Sequence, residues 1–479
     1  MCGPTSSSRK RPEICARRAA RAMPTLMLWH TSSSATSHRS GDASPPASQR
    51  QPAAASQRGR AETEQLSQRE RQAAATKVYL APRMLACAED ESLALAIRAV
   101  GFRETQKTYG ATIVWNVANP QSLSLAPGLI FSRFPAMADC CRKALYASLL
   151  GRLRRFLPAE APLNDGTLIP RQWTLPEGAP RNPRGLREYH QASAAAAKAA
   201  GLPKPAYIVK PDSGSQGAGI EVTTEPCRQS PYAPSAVVQE YIQPPLLLDG
   251  LKFDLRLYVL LTSVGGEADS SPLRAFLCRE GMVRVAVDRF DGASLANVHA
   301  HLTNYSLNKA TAGFQISDDA DGGEHGSKRT VSSVFARLQR SGQVADIEAL
   351  WQRIGHLISR ALAVIQPVLA SARQAWGANP CFQVLGFDVL LDADAKPWLV
   401  EINDHPSCAT MIVTAPAAPS SLPHARACTH TPSMLVAGAR VRSVYICTPR
   451  RRPPPTLPSR AQIAHRSSAH RPDAPDGRR

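Results

Sequence analysis

The sequence predicts a mixed α/β (α+β) body of β-rich lobes held between two disordered tails. Three observations lead there. Residues 382–403, FQVLGFDVLLDADAKPWLVEIN, place two apolar runs around a short polar turn, the pattern of a β-hairpin. Residues 208–224, IVKPDSGSQGAGIEVTT, put a glycine-rich turn between two further strand-like runs. Residues 92–100 and 347–369 instead space their apolar side chains for helices; in the second, Ile347, Leu350, Trp351, Ile354, Leu357 and Ile358 share one side.

The chain opens on an Ala/Ser/Arg/Gln-rich stretch, and 40 prolines in 479 residues argue that much of it is unfolded. Disorder is assigned to residues 1–75 and 409–479; the second tail carries Pro416, Pro419, Pro423 and Arg450-Arg451-Arg452 with no sustained period. Between them an N-terminal domain is expected over 76–185, a central lobe over 186–262 and a C-terminal lobe over 263–408. A body of about 330 residues is ample for a large core. No internal repeat is present.

In the central lobe a strand ends in Lys210 and runs into the turn Gly214–Gly219. Glycines let backbone amides approach an anion closely and form a concave site, and Lys210 adds a point charge at its entrance. The next segment, Ile220–Thr224, is strand-like and no Gly-Lys-Ser/Thr follows, so this is neither a P-loop nor a Rossmann turn. By itself such a loop is more often an ordinary hairpin turn. Val237–Ile242 is a further strand. In residues 251–261, Lys252, Asp254 and Arg256 alternate with Phe253, Leu255 and Leu257. Three charges on one face of a strand that then turns wholly apolar do not describe a solvated edge. Strand-like Gly281–Val287 carries Arg284, and His301-Leu302-Thr303-Asn304-Tyr305-Ser306 forms a polar cluster beyond it.

In the closing hairpin Asp388 lies on one arm, while Glu401 and Asn403, two apart on the other, share a face. Three oxygen-bearing side chains converging there suit Mg²⁺, which takes hard oxygen ligands and shares its shell with substrate phosphates. A salt-bridged or edge-exposed pair of acids is the competing reading.

The order of these pieces resembles the tubulin tyrosine ligase-like family, ATP-grasp amino-acid ligases that modify tubulin tails. Lys210 with its glycine loop, Gln-Glu-Tyr-Ile, Lys-Phe-Asp-Leu-Arg, His-Leu-Thr-Asn-Tyr and Asp with Glu-x-Asn follow in the family's order, from about Ala111 to Ser407. Trp115-Asn116, Phe134-Pro135, Cys141-Arg142-Lys143, Ile169-Pro170-Arg171-Gln172-Trp173 and Gly326-Ser327-Lys328-Arg329 fit as well. The resemblance implies an ATP-grasp fold, with ATP between two β-rich lobes. Lys210, Gln216, Gly217, Ala218 and Gly219 would then close over the phosphates. Gln239, Glu240, Tyr241 and Ile242 would form the adenine edge, partly through backbone groups. Lys252, Phe253 and Asp254 would lie on the phosphate and ribose side, Thr303 and Asn304 would complete the pocket, and Asp388, Glu401 and Asn403 would carry Mg²⁺. Arg256 is expected to stabilise acyl-phosphate oxyanions, and Arg284 and Lys328 to hold the incoming amino acid by its carboxylates. One cation per carboxylate makes the donor dicarboxylic, and the pattern is similar to the polyglutamylating branch. Gln216 resembles members that extend glutamate chains.

What this implies is a monomeric glutamate ligase using free L-glutamate, with tubulin or microtubules as acceptor, in the cytoplasm and cytoskeleton, including the cilium or basal body. A glycylase, a ligase on another acidic acceptor and a non-catalytic relative are the alternatives. Three departures stand out: Ala218 replaces the arginine these glutamylases usually carry in Gln-Gly-Arg-Gly; Asp404 follows Asn403, where it would adjust the metal shell or repel an acidic acceptor; and the family-like sequence stops near Ser407. The last raises the expectation of a divergent or mis-spliced end, which sequencing the transcript across codons 400–420 tests.

Composition is consistent with this but less specific. A net charge of +19, much of it in the tails, attracts polyanions. No nucleic-acid module accompanies it, so nucleic acid is not the expected partner. The 11 cysteines show no CxxC spacing, and free thiols in a reducing cytosol are the simplest account. No apolar run approaches the roughly 20 residues that span a bilayer. The Arg- and Ser-rich, acid-poor opening leaves a transit peptide open.

Overall fold

In the computed structural model, residues 76–407 are described except 81–87, 116–127, 176–184, 213–216, 228–234, 267–271, 310, 312, 315–325 and 377–378. Positions 68, 72 and 75 and stretches 429–430, 434–436 and 439–447 are described as well. The tail expected over 1–75 otherwise lies outside the described residues.

The chain begins with β1 (Lys77–Leu80), α1 (Ala88–Ala99), β2 (Arg103–Thr105), β3 (Ile113–Trp115) and β4 (Ile130–Phe131). These strands pair in parallel in the order β2-β1-β3-β4. Val78 and Leu80 alternate inward along β1 and pack with Ile97 of α1. After α2 (Met137–Cys140) comes α3 (Lys143–Phe156), whose Tyr146, Leu150 and Leu153 recur at helical spacing and are buried.

A second sheet is antiparallel, in the order β5-β8-β6-β7, from β5 (Gln172–Leu175), α4 (Leu186–Ala199), β6 (Tyr207–Pro211), β7 (Glu221–Thr223) and β8 (Ala236–Glu240). Leu175, Leu186, Tyr207, Val209, Ala236 and Val238 form its separate core.

The remainder is β9 (Leu247–Leu248), β10 (Leu251–Ser263), β11 (Leu273–Arg289), α5 (Val298–His301), α6 (Tyr305–Asn308), β12 (Lys328–Thr330), α7 (Val331–Arg340), α8 (Ile347–Trp376), β13 (Gln383–Leu391) and β14 (Pro397–Asn403). Their sheet runs β14-β13-β10-β11, with β9 on β10 and β12 on β11. Phe253, Leu255, Leu257 and Val259 of β10 join the main core with α8, which buries Leu350, Ile354, Leu357, Ile358 and Leu362. That helix is long and apolar enough to cross a membrane by composition, with 72% of its most apolar window buried against the rest of the chain. The expected hairpin is present: Asp392 Oδ1 accepts from the N–H groups of Asp394 (3.1 Å) and Lys396 (2.9 Å), fixing the turn between β13 and β14.

Two groupings differ from those read off the sequence. The expected boundary at 262/263 would part β10 from β11, yet β10 bonds both β11 and β13, so the strand belongs to the third sheet. Likewise β5, expected in the N-terminal domain, pairs with β8. Strand pairing is set by distant partners that local patterning does not name. Within the stretch read as a disordered tail, β15 (Thr429–His430), β16 (Met434–Val436) and β17 (Ala439–Cys447) are strands, β17 running parallel to β11. ARVRSVYIC carries the β-branched and aromatic residues a strand favours, set among prolines and arginines that mask the signal.

Candidate functional site

A cleft with about 390 Å³ of open space is lined by Lys143 and Tyr146 of α3, Gln172 of β5, Lys210 of β6, Gln239 of β8 and Glu401 of β14. The buried Lys210 Nζ donates to Gln239 Oε1 (2.9 Å), and Gln239 Nε2 donates to Gln172 Oε1 (3.3 Å). Burial pushes the Lys210 ammonium down to about 8, with Glu401 opposing it. Lys143 Nζ lies 3.4 Å from Glu401 Oε2. Two lysines, two carboxamides and a carboxylate thus face one space, a set suited to a polyanion bound together with a cation.

Strand register gathers the other charges beside it. Glu401 lies opposite Asp388, Asp388 opposite Arg256, Asp254 opposite Arg284, and Arg284 opposite Lys328. Residues directly opposite in a sheet share a face, so five strands contribute to one charged surface. Arg256 Nε donates to Asp388 Oδ1 (2.6 Å) and its Nη2 to Oδ2 (3.2 Å). Arg284 Nη2 also donates to Asp388 Oδ2 (2.8 Å), while its Nε (2.9 Å) and Nη2 hold Asp254. Burial alone would raise the Asp388 carboxyl; Arg284 and Arg256 outweigh it and hold it at about 2. Lys328 is lowered by burial and by Arg284 and Arg256, and its Nζ sits 3.9 Å from the Tyr305 ring centroid. Arg256, expected on acyl-phosphate oxyanions, and Arg284 and Lys328, expected on the donor's carboxylates, are therefore together, and Gly386 makes room for the first: a Cβ there would lie 3.2 Å from Arg256 Cδ.

Lys252 is buried, and its Nζ donates to Tyr241 Oη (2.8 Å) and to the His301 carbonyl (2.9 Å). His301 Nε2 meets the Ser294 carbonyl (2.7 Å), which can only accept, so Nδ1 of the neutral ring accepts from the Tyr241 hydroxyl (2.8 Å). Burial lowers the Lys252 ammonium to about 7, against the pull of Asp254. Asn304 precedes α6, and the glycine turn presses onto that corner: a Cβ on Gly217 would stand 2.6 Å from Leu307 Cδ1 and 3.0 Å from Asn304 Cγ, and one on Gly219 2.9 Å from Pro211 Cγ. Ala218 is exposed, Ile242 half-buried and Thr303 buried. Gln216 lies outside the described residues.

Several expectations change. Phe253, expected on the nucleotide side, is 1% exposed in the main core, because alternation turns it to the face opposite Lys252 and Asp254. The Glu240 carboxylate accepts from the Tyr189 hydroxyl and the Arg171 N–H (3.2 Å), and the backbone N–H groups of Glu240 and Tyr241 are spent on Arg171 and Ala206 carbonyls. Asp404 neither joins the hairpin acids nor stands as a free negative charge: Arg133 Nη2 lies 3.5 Å from its Oδ2 and His405 Nδ1 3.1 Å.

The side-chain oxygens of Asp388, Glu401 and Asn403 are the hard donors Mg²⁺ takes, and register sets Asp388 directly opposite Glu401. Among the described residues no group of three or more His, Cys, Asp or Glu could hold a metal. Both Asp388 oxygens are held by arginines, so cation binding there requires those bonds to yield.

A model of the tubulin-tyrosine ligase family matches residues 128–416, a span that holds every site residue named above. The chain belongs to that family. It is 33% identical over 331 residues to Tubulin polyglutamylase TTLL11 of Mus musculus, covering 66% of this chain and 42% of that one. Tubulin polyglutamylase TTLL6 of Homo sapiens is 33% identical over 331 residues, with 67% and 34% covered. Probable beta-tubulin polyglutamylase of Tetrahymena thermophila is 33% identical over 309 residues, with 62% and 24% covered. The chain thus spans between 24% and 42% of the length of these relatives.

Lys143, Gln172 and Asp212 had no assigned role in the sequence reading. The first two stand inside family-like motifs, Cys-Arg-Lys and Pro-Arg-Gln-Trp, which was the available signal. Asp212, two residues after Lys210, accepts from Arg142 and from the Ala144 N–H; nothing in its neighbourhood in sequence points to helix α3.

Proposed function

We propose that this chain is an ATP- and Mg²⁺-dependent protein glutamate ligase of ATP-grasp type, adding glutamate to glutamate side chains or chains of tubulin C-terminal tails. The observation that carries the reading is the row Glu401–Asp388–Arg256 beside Asp254–Arg284–Lys328, where three carboxylates adjoin three cations on one sheet face. The polyglutamylase names of its relatives point to the same chemistry.

The acceptor carboxylate attacks the γ-phosphorus of ATP, ADP leaves, and the acyl phosphate so formed is attacked by the amine of free glutamate, which expels inorganic phosphate. Lys210 and Lys143 neutralise phosphate oxygens, and Gln239 fixes the Lys210 ammonium. Asp388, Glu401 and Asn403 hold the cation, which when bound offsets charge on the phosphates. Arg256 stabilises the oxyanions of the acyl phosphate. Arg284 and Lys328 each take one carboxylate of the donor; the planar fork of arginine suits that grip. Catalysis of this kind is mostly positioning and charge neutralisation.

The test is incorporation of labelled glutamate into microtubules by the full chain with ATP and Mg²⁺, beside Glu401→Gln, with glycine and tyrosine run as donors in parallel. Glutamate incorporation that the substitution reduces at least about a hundredfold, with the melting temperature kept, is expected for loss of one preorganised electrostatic contact. Incorporation of glycine in preference to glutamate would move the chain to the glycylating class, and ATP binding with no transfer would mark an inert relative.

A further inference from the structure

We propose that Asp212 is a positioning residue: with Arg142 and Ala144 it ties the end of β6, which carries Lys210 into the cleft, to the start of α3. The inference rests on the reading that a nucleotide occupies this cleft. Asp212 follows the last residue of β6, two residues beyond Lys210, and is 7% exposed. A carboxylate so deeply placed needs partners. Its side-chain donors come from two residues at the start of α3. Arg142 Nε (3.1 Å) and Nη2 (2.5 Å) donate to Oδ2, and the Ala144 backbone N–H donates to Oδ1 (2.8 Å). The Asp212 N–H donates in turn to the Ser235 carbonyl (2.9 Å), just before β8.

Ala144 lies in the first turn of α3, where backbone N–H groups have no partner within the helix. Arg142, the residue ahead of the helix, supplies no side-chain cap. Asp212 supplies one from another strand, and its negative charge sits at the end of the helix that favours anions. Between the two contact residues, Lys143 reaches Glu401 Oε2 at 3.4 Å. Three consecutive residues therefore hold both sides of the cleft: 142 and 144 grip the end of β6, and 143 reaches β14. With Asp212 removed, Lys210 keeps its own bond to Gln239, but the end of β6 is no longer tied to the helix facing Glu401.

Arg142 is 54% exposed in its side chain, so its charge is partly screened; the bond from Ala144 is not. A graded series follows. Asp212→Asn keeps an oxygen for Ala144 and loses the charge, whereas Asp212→Ala loses both. Dissociation constants for Mg²⁺–adenylyl imidodiphosphate and for free glutamate are measured by calorimetry on the full chain, alongside melting temperature. Asp212→Ala is expected to weaken the nucleotide analogue about tenfold or more, Asp212→Asn and Arg142→Ala less, with glutamate affinity held within about twofold. Combining Arg142→Ala with Asp212→Ala is expected to add little to the latter, as for residues acting through one contact. Nucleotide affinity unchanged in Asp212→Asn, Arg142→Ala and Asp212→Ala overturns the proposal. So does a loss of nucleotide and glutamate affinity in proportion to the fall in melting temperature, the mark of a merely structural residue. Should Asp212→Ala not fold, Asp212→Asn and Arg142→Ala carry the test. A wild-type chain that does not bind the analogue overturns the nucleotide reading, and this proposal with it.

Discussion

Arg284 holds two buried carboxylates at once, those of Asp254 and Asp388, and the proposed function asks it to hold a third from the donor. Breaking a buried pair by removing one partner costs about 3–5 kcal/mol, because the other charge stays buried. Arg284→Ala is therefore expected to lower stability by that order and to raise the glutamate KM at least tenfold. Arg284→Lys keeps the charge without the fork and should lose less stability while still raising KM. Steady-state kinetics beside denaturant melts separate the two effects; an unchanged glutamate KM in either variant removes Arg284 from the donor site. Lys252 offers a test of electrostatics away from the donor. Its ammonium is lowered to about 7 from an ordinary 10.5, chiefly by burial, with Asp254 raising it and Lys210 lowering it further. Between those values the unfolded chain keeps a proton that the folded chain has lost, so stability rises with pH there, by up to about 1.4 kcal/mol per unit, and is flat below. Lys252→Met removes this titration, and the wild type should gain on the variant as denaturant melts move from about pH 7 to about pH 9. A constant difference would mean that Lys252 stays charged in the folded chain.

At the scale of elements, what the sequence revealed was what alternation and turns encode locally. The hairpin of β13 and β14 and the charged face of β10 were legible because each is a period-2 pattern next to a recognisable turn. The face shared by Arg284 and Lys328 was not, since it depends on β12 pairing with β11 across more than forty residues of chain. Phe253 belongs to the core because alternation turns it away from Lys252 and Asp254. The role of Asp212 was not legible for the same reason as β12, its partners at the start of α3 being distant in sequence. The glycine-rich turn gives an element-level test. Gly217 has φ +84°, and an added Cβ would meet Leu307 Cδ1 at 2.6 Å. The side-chain end of Leu307 can give way, but the left-handed backbone cannot, at a cost of about 1–2 kcal/mol. Gly217→Ala should lower the melting temperature modestly and weaken the nucleotide analogue, with glutamate affinity little changed. Nucleotide affinity left intact would mean that the turn does not close on the phosphates.

Over the whole molecule, charge is partitioned rather than spread. Residues 1–75 carry twelve Lys and Arg against five Asp and Glu, and residues 408–479 eleven against two, so most of the net +19 lies outside residues 76–407. Within residues 76–407, by contrast, Arg256 and Arg284 sit in buried ion pairs. Exposed charges and buried ion pairs answer differently to salt. Exposed charges more than a Debye length apart, about 10 Å at 0.1 M, are largely screened, whereas buried pairs are screened much less. If the tails draw an acidic acceptor, raising ionic strength from about 0.05 M to about 0.15 M should raise the KM for microtubules several-fold, while the KM for free glutamate moves far less. Deleting residues 1–75 should flatten the first dependence and leave the second as it was. Initial rates across the salt series with each substrate varied in turn read both constants. Equal salt dependence for the two substrates would place acceptor recognition in the buried site itself and leave the basic tails without a part in it.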